Sequence, residues 1–489
     1  MATTNPTPIA TPEGAPRPAS DDPRRTLRAG ARHWAALVIV LTGTFMVTLD
    51  FFIVNVAIPS MQRELRANSG EIQLVVAGYG LALAAGLITA GRLGDIFGRR
   101  RIFALGLALF TLTSVVCGVS PTPVVLVLAR VAQGSAAAIL SPQVLAIVGL
   151  VYTGKDRARA FTVYGLAVGI AAVSGQLIGG VLIQADIAGL GWRSCFLINA
   201  PIGVAALALI PRLLPESRTN GSRRLDPLGA LLVTLALVAI ILPLIVGREL
   251  GWPLWAWLCL AASAPLLIAF ASSQRRLSRH GNAPLLEMSL FRERSFTVGL
   301  LATLAFFAGM ASFFLVLALY LQEVRGLSAL AAGTTFSILG CGYLVSSLYA
   351  QRLTNRLGHK SLAIGALVMA AGLALLLATA AKMGAGSILW LAPALLLDGF
   401  GMGMVLAPLA SIALAGLPPQ HAGAAAGVLA TMQQVANALG VAIIGIIFYG
   451  ALGAGQGTGY PHAFGASLVY LVALGVAVAA LILLLPRRQ

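Results

Sequence analysis

GRLGDIFGRRR, residues 91–101, decides how the chain is to be read, because this charged cluster interrupts two apolar runs that are each long enough to cross a bilayer. Arg92, Arg99, Arg100, Arg101 and Asp95 stand within a few residues of the apolar ends, where Lys and Arg hold a loop on the cytoplasmic side. Gly91, Gly94 and Gly98 remove side chains where a tight turn and close backbone approach need space. Basicity alone would describe any cytoplasmic loop. The order G-R-L-G-D-x-x-G-R-R-R is more specific.

Around this cluster the composition is that of a membrane protein. Of 489 residues 58% are hydrophobic and 10% charged, whereas soluble domains carry about 25% charged residues. The net charge of +17 is spread in short basic clusters between apolar stretches, so it reads as topology and not as a nucleic-acid surface. Cys117, Cys195, Cys259 and Cys341 stand singly in apolar runs without C-x-x-C spacing, which implies neither disulfides nor a metal site. The first 33 residues, rich in Pro, Thr, Ala and Arg, have no apolar core; a disordered cytoplasmic tail is expected there.

Fourteen apolar runs of about 18 to 25 residues follow, the first at 34–58 and the last at 463–485. With the amino terminus inside, 26 Lys and Arg fall on the cytoplasmic side and six outside, while Arg130 lies within a helix and completes the 33. That asymmetry supports the helix count and puts both termini in the cytoplasm. A faint repeat aligns AQRLTNRLGHKSLAIG, residues 350–365, with AGRLGDIFGRRRIFAL, residues 90–105. Arg352, Leu353, Gly358 and Lys360 take the places of Arg92, Leu93, Gly98 and Arg100, while Asn355 replaces Asp95. A repeat at 260 residues fits two six-helix halves related by an axis along the membrane normal. The expected division is a tail (1–33), a six-helix bundle (34–214), two additional helices with linkers (215–295), a second six-helix bundle (296–485) and a short tail (486–489).

Only two of the sixteen acids, Asp50 and Asp398, fall well inside these runs, and Arg130 is the one deeply placed base. Charges within a membrane are costly enough to be functional by default. At 1.5 Å rise per residue, Asp50 lies roughly 12 Å and Arg130 roughly 9 Å from the outer end of its helix, so the two are able to pair. Such a pair has two readings. It can simply hold two helices together. Alternatively, burial disfavours the carboxylate while the guanidinium favours it, so proton occupancy depends on which side admits water.

The opening stretch resembles the loop between the second and third helices of the major facilitator superfamily, where the acid and arginines help to latch the two halves. LDFFIVNVAIPSM, residues 49–61, resembles the L-D-x-T-x-V-N-V-A-L-P signature of the drug:proton antiporters of the fourteen-helix branch, with Phe52 where Thr or Ser is usual. LARVAQGSAAAILSPQ, residues 128–143, resembles the fourth-helix signature, whose arginine, matched by Arg130, is implicated in proton transfer. GWRSCFLINAPIG, residues 191–203, resembles the segment leading into the sixth helix. The fifth helix departs from the pattern. Where the family's exporters carry G-P-x-x-G-G this chain reads GQLIGG, keeping Gly175, Gly179 and Gly180 for close packing but setting Gln176 in the proline's place. Gln176 then offers an amide to substrate or to a neighbouring helix.

The resemblance implies an all-α integral membrane protein with the major facilitator fold, two six-helix bundles plus two further transmembrane helices. Asp50 and Arg130 are the expected proton-coupling pair. Asn55, Gln133, Gln176, Asp398, Gln433, Gln434 and Asn437 are substrate-cavity candidates. Asp398 is expected either to face that cavity, attracting a cation or carrying a second proton, or to bond Gln433, Gln434 and Asn437. Phe306, Phe307, Phe313 and Phe314 either line an apolar pocket or pack toward the membrane, the latter being the simpler expectation.

There is no phosphate-binding G-x-x-x-x-G-K-[ST] loop, and all five histidines lie in the tail or connections without an H-E-x-x-H, so neither ATP, metal, cofactor nor enzymatic chemistry is implied. The expected function is proton-coupled export of hydrophobic or amphipathic drugs, toxins or natural products from the inner (plasma) membrane, with a monomer sufficient. A dedicated exporter of a single metabolite and a non-transporting scaffold or sensor are the alternatives.

Overall fold

The computed structural model describes residues 23–152, 154–214, 216, 226–248, 250–280, 284–286, 288–383, 386–413, 422–454 and 459–485. Within these residues fourteen helices are long and apolar enough to cross a bilayer. The protein is a multi-pass membrane protein. The spans are α1 (Pro23–Leu65), α2 (Ser69–Phe97), α3 (Arg99–Gly118), α4 (Pro123–Val151), α5 (Gly154–Ala185), α6 (Gly191–Leu213, opening with a 3-10 turn) and α7 (Pro227–Val246). They continue as α8 (Leu254–Arg279), α9 (Arg294–Leu319), α10 (Ala329–Leu357), α11 (Lys360–Met383), α12 (Ala392–Ala413), α13 (Ala422–Ala454) and α14 (Gly459–Leu483). The helix count matches the reading from hydropathy. The tail does not: α1 begins at Pro23, inside the stretch expected to be disordered, with proline at a first helical position where its missing N–H costs nothing.

Helix starts follow from local chemistry. Asn68 and Glu71 form a capping box on α2, each side chain accepting from the other's backbone N–H at 2.8 Å. Thr122, Asp226 and Ser328 cap α4, α7 and α10 by accepting one backbone N–H each. Gly98 (φ +99°) separates α2 from α3, and Gly358 (φ +60°) stands at the matching place after α10. Both positions need the left-handed region that only glycine enters without strain.

The helices sort into two groups that repeat each other. In the first, α1 packs on α5, α2 on α4, and α4 and α6 on α3; in the second, α9 packs on α13, α10 on α12, and α12 and α14 on α11. The groups meet along two seams, α5 against α10 and α2 against α13. α7 leans on α2 and α13, whereas α8 packs mainly on α7; its apolar window is 11% buried, which leaves most of this helix to lipid. A buried junction ties the pair down. Asp226 accepts from Gln274 at 2.7 Å, and Gln274 in turn accepts from the backbone N–H of Leu285 and Leu286.

The α5–α10 seam is close from the end that carries the α1–α2 and α9–α10 connections down to mid-height, where Gly340 lies against Val173 and Gly169 against Tyr343. At that end Gly180 faces the backbone of Ala329 and Leu330, Gly333 faces that of Gln176 and Leu177, and Gln322 donates to the Val56 carbonyl at 3.1 Å. Toward the other end, which carries residues 91–101, Gly165 and Gly427 look onto open space. Among the described residues the two groups touch closely at the first end and are parted at Gly165 and Gly427 toward the second.

Candidate functional site

Asp50 and Arg130 meet inside the first group, each with no accessible surface. Arg130 Nη1 donates to Asp50 Oδ2 and, at 2.7 Å, to Gln133 Oε1, while its Nε donates to the Val75 carbonyl at 3.0 Å. Gln133 Nε2 donates to Asp50 Oδ1 and to Ser114 Oγ, both at 2.9 Å. Asn199 Nδ2 repeats that pattern from α6, at 3.0 Å to Asp50 Oδ1 and 2.9 Å to Ser114 Oγ. Four helices, α1, α3, α4 and α6, therefore converge on one carboxylate. The guanidinium lies between two rings, its Cζ 4.2 Å from the Tyr79 centroid and 5.5 Å from that of Phe196. Such cation–π contacts stabilise a desolvated guanidinium by about 2 kcal/mol.

Each charge is balanced by the other and by fixed dipoles, although Arg130 Nη2 is buried without a hydrogen bond. A buried ion pair recovers its desolvation cost only when geometry and hydrogen bonds are nearly complete, and here the carboxylate accepts three bonds. Adding a proton to Asp50 would remove the partner charge of Arg130 and disturb Gln133 and Asn199 together. The site thus has two electrostatic states. Neither member of the pair has accessible surface in this conformation.

Sequence reasoning reached Asp50 and Arg130 but assigned no role to Ser114, Asn199 or Tyr79. Asn199 carried a signal, a lone amide in the apolar LINAPIG stretch; a serine or tyrosine in such a run carries none. Gln133, expected at a substrate cavity, instead belongs to the Asp50 network because its position one turn after Arg130 points it inward. Asn55 is buried and donates to the Phe52 carbonyl of its own helix at 3.2 Å. Gln176 is fully buried and neither amide atom bonds a neighbouring helix. Gly175 and Gly179 seat α5 on α1, and Gly180 seats it on α10.

On α13, Asn437 donates to Gln434 at 3.4 Å, and the Gln434 carbonyl faces Gly80 where the α2–α13 seam ends; Gln433 is half-buried beside them. None of the three bonds Asp398, which lines a separate small cavity in the second group. Phe306, Phe313 and Phe314 are buried and not membrane-facing. Phe314 stacks on Phe336 (5.4 Å) and touches Phe52 (5.1 Å) across the two groups, and Phe52 continues through Phe51 (5.1 Å) to Tyr79 (6.2 Å). Phe52, where the resembled signature has a hydroxyl, closes this line of rings.

In the charged loop, Arg99 donates to the Ala146 carbonyl at 3.0 Å and Arg100 to that of Leu214 at 3.2 Å. Glu216 pairs with Arg100 and Arg101 at 3.5 and 3.6 Å. These contacts join α3 to α4 and to the segment that follows α6, all within the first group. Gly94 lies against Gln143. The surroundings of Gly91 and the side chains of Arg92 and Asp95 lie outside what the structure describes.

Two pseudo-equivalent helix groups, parted at one end and holding a buried ion pair in one of them, define a membrane carrier of the two-halved type. Residues 40–441 match the family model of the Major Facilitator Superfamily, and the chain belongs to that family. It is 40% identical over 425 residues to a probable actinorhodin transporter of Streptomyces coelicolor, covering 86% of this chain and 74% of that one. It is also 40% identical over 429 residues to a puromycin resistance protein of Streptomyces alboniger, covering 86% and 83%. Among solved structures a D-xylose-proton symporter matches with a TM-score of 0.64 at 15% identity, covering 92% of this chain and 97% of the other, a likeness of fold alone.

Proposed function

We propose that the protein is a secondary active exporter of hydrophobic or amphipathic drugs, toxins or natural products, working by alternating access with protons as the counter-substrate. The observation that carries this reading is the Asp50–Arg130 ion pair, in which neither side chain has accessible surface. Proton uptake forms an O–H bond on the Asp50 carboxyl and breaks its ionic bond to Arg130; release reverses both. If access to Asp50 alternates between the two faces, a proton enters through it as substrate leaves. The names of the relatives, which concern actinorhodin, puromycin, tetracenomycin and cephamycin, support compounds of this class as cargo. Basic clusters at the parted end support a cytoplasmic location for it and for both termini, in a carrier of the plasma membrane. The structure then corresponds to an inward-open carrier. The carrier acts as a monomer and performs no covalent chemistry.

Puromycin and ethidium accumulation in cells expressing wild type or Asp50→Asn, with and without a protonophore, tests the reading. Wild type is expected to lower accumulation until the protonophore is added, and Asp50→Asn to insert normally yet lose uphill export. Export by Asp50→Asn that still responds to the protonophore would sink it. The likeness to an actinorhodin transporter favours a second reading, export of a single metabolite; a substrate panel in which one compound alone is moved would establish that instead.

A further inference from the structure

The second group of helices repeats the first closely enough to pair individual residues. Gly134 of α4 lies against the backbone of Tyr79 on α2, and Gly399 of α12 lies in the same way against the backbone of Leu339 on α10. Leu339 follows Tyr79 by 260 residues, the offset of the sequence repeat, and Gly399 follows Gly134 by 265. Asp398 is therefore the counterpart of Gln133, and Leu395 that of Arg130. Likewise Gly175 packs against the Leu49 carbonyl and Gly440 against that of Ala308, which puts the counterpart of Asp50 at Gly309 or Met310. The acid of the second half has been transposed from the first helix of the repeat to the fourth.

What surrounds it differs in one respect from the first half. Asp398 is 3% exposed and has neither a hydrogen-bond nor an ion-pair partner among the described residues. It lines a cavity of about 20 Å³ between α9, α11, α12 and α14, together with Met310, Phe313, Met369, Met402 and Leu474. No lining side chain from α9, α11 or α14 is titratable or charged. Close contacts hold α12 in place, Gly399 on α10 and Gly401 on α11, so the carboxyl is held toward this space.

The lining selects the ligand. A metal cation needs several oxygen ligands and finds one carboxyl. A cavity of this size holds one or two waters and no organic cation. An ionised carboxylate would stand there without any counter-charge, at a cost that neutralisation avoids. We propose that Asp398 is a second proton-carrying site, loaded from one face and emptied toward the other as the helices around this cavity shift, so that one transport cycle moves two protons. Loading forms an O–H bond with a proton taken from water on one face, and emptying returns that proton to water on the other.

This inference rests on the antiport reading, and the test separates the two. In proteoliposomes under an imposed pH gradient, radiolabelled puromycin and internal pyranine count substrate and protons in the same vesicles. Asp398→Asn is expected to halve the proton-to-puromycin ratio, and Asp398→Glu to keep the wild-type ratio. An unchanged ratio in Asp398→Asn, while Asp50→Asn is inert, overturns the second site alone. If Asp398→Asn inserts but moves no puromycin, transport by Asp398→Glu at the wild-type ratio still supports the site, and an inert Asp398→Glu overturns it. Wild-type vesicles indifferent to the gradient overturn the antiport reading and this proposal with it.

Discussion

Asn199 and Ser114 decide whether Asp50 is merely buried or is held ready to change state. Hydrogen bonds to a charged group contribute about 1.5–3 kcal/mol each, so Asn199→Leu is expected to lower stability by about that amount. It should also slow pH-driven export at least about tenfold, read from thermal unfolding and reconstituted transport; export at the wild-type rate would remove Asn199 from the coupling network. Arg130→Ala strands the carboxylate and is expected to cost about 3–5 kcal/mol. The double substitution Asp50→Asn with Arg130→Met separates structural from coupling roles: stability recovers because no lone charge remains, while uphill export stays absent. Persistent uphill export in that double variant would reduce the pair to a structural brace.

At the scale of helices, the seams make the sharper prediction. Gly333 gives α10 its approach to the Gln176 and Leu177 backbone, and overpacking such a contact costs about 1–3 kcal/mol. Gly333→Leu is therefore expected to shift the carrier toward the state parted at this end. Spin labels at Ile187→Cys and Leu389→Cys should then move apart, and an unchanged distance distribution would refute the assignment of this seam as the closing contact. The helices themselves were legible in the chain, because hydropathy and basic punctuation are local properties. Asp50 and Arg130 were legible too, since a charge in an apolar run has few innocent explanations. Ser114 and Asn199 were not, because a neutral polar side chain in a membrane helix becomes a ligand only through the packing of α3 and α6 against α1. Gln176 shows the converse: an amide that looked available is buried without a bond, because the α5–α10 seam closes over it.

For the whole molecule, the parted end defines a topology that labelling can read. In a background with Cys259 and Cys341 replaced by Ser, Gly427→Cys is expected to react with an impermeant maleimide in inside-out vesicles and to resist it in right-side-out cells. The opposite pattern would invert the orientation and the conformational assignment together. The aromatic row from Phe336 through Phe314, Phe52 and Phe51 to Tyr79 then acquires a mechanical meaning. It begins on the second half and ends on the ring that covers the Arg130 guanidinium, so when one half tilts against the other the disturbance is handed from face to face until it reaches the charge. Under the alternating-access cycle proposed above, tilting of the halves and loosening of the buried ion pair would be a single event, with no separate messenger between the two.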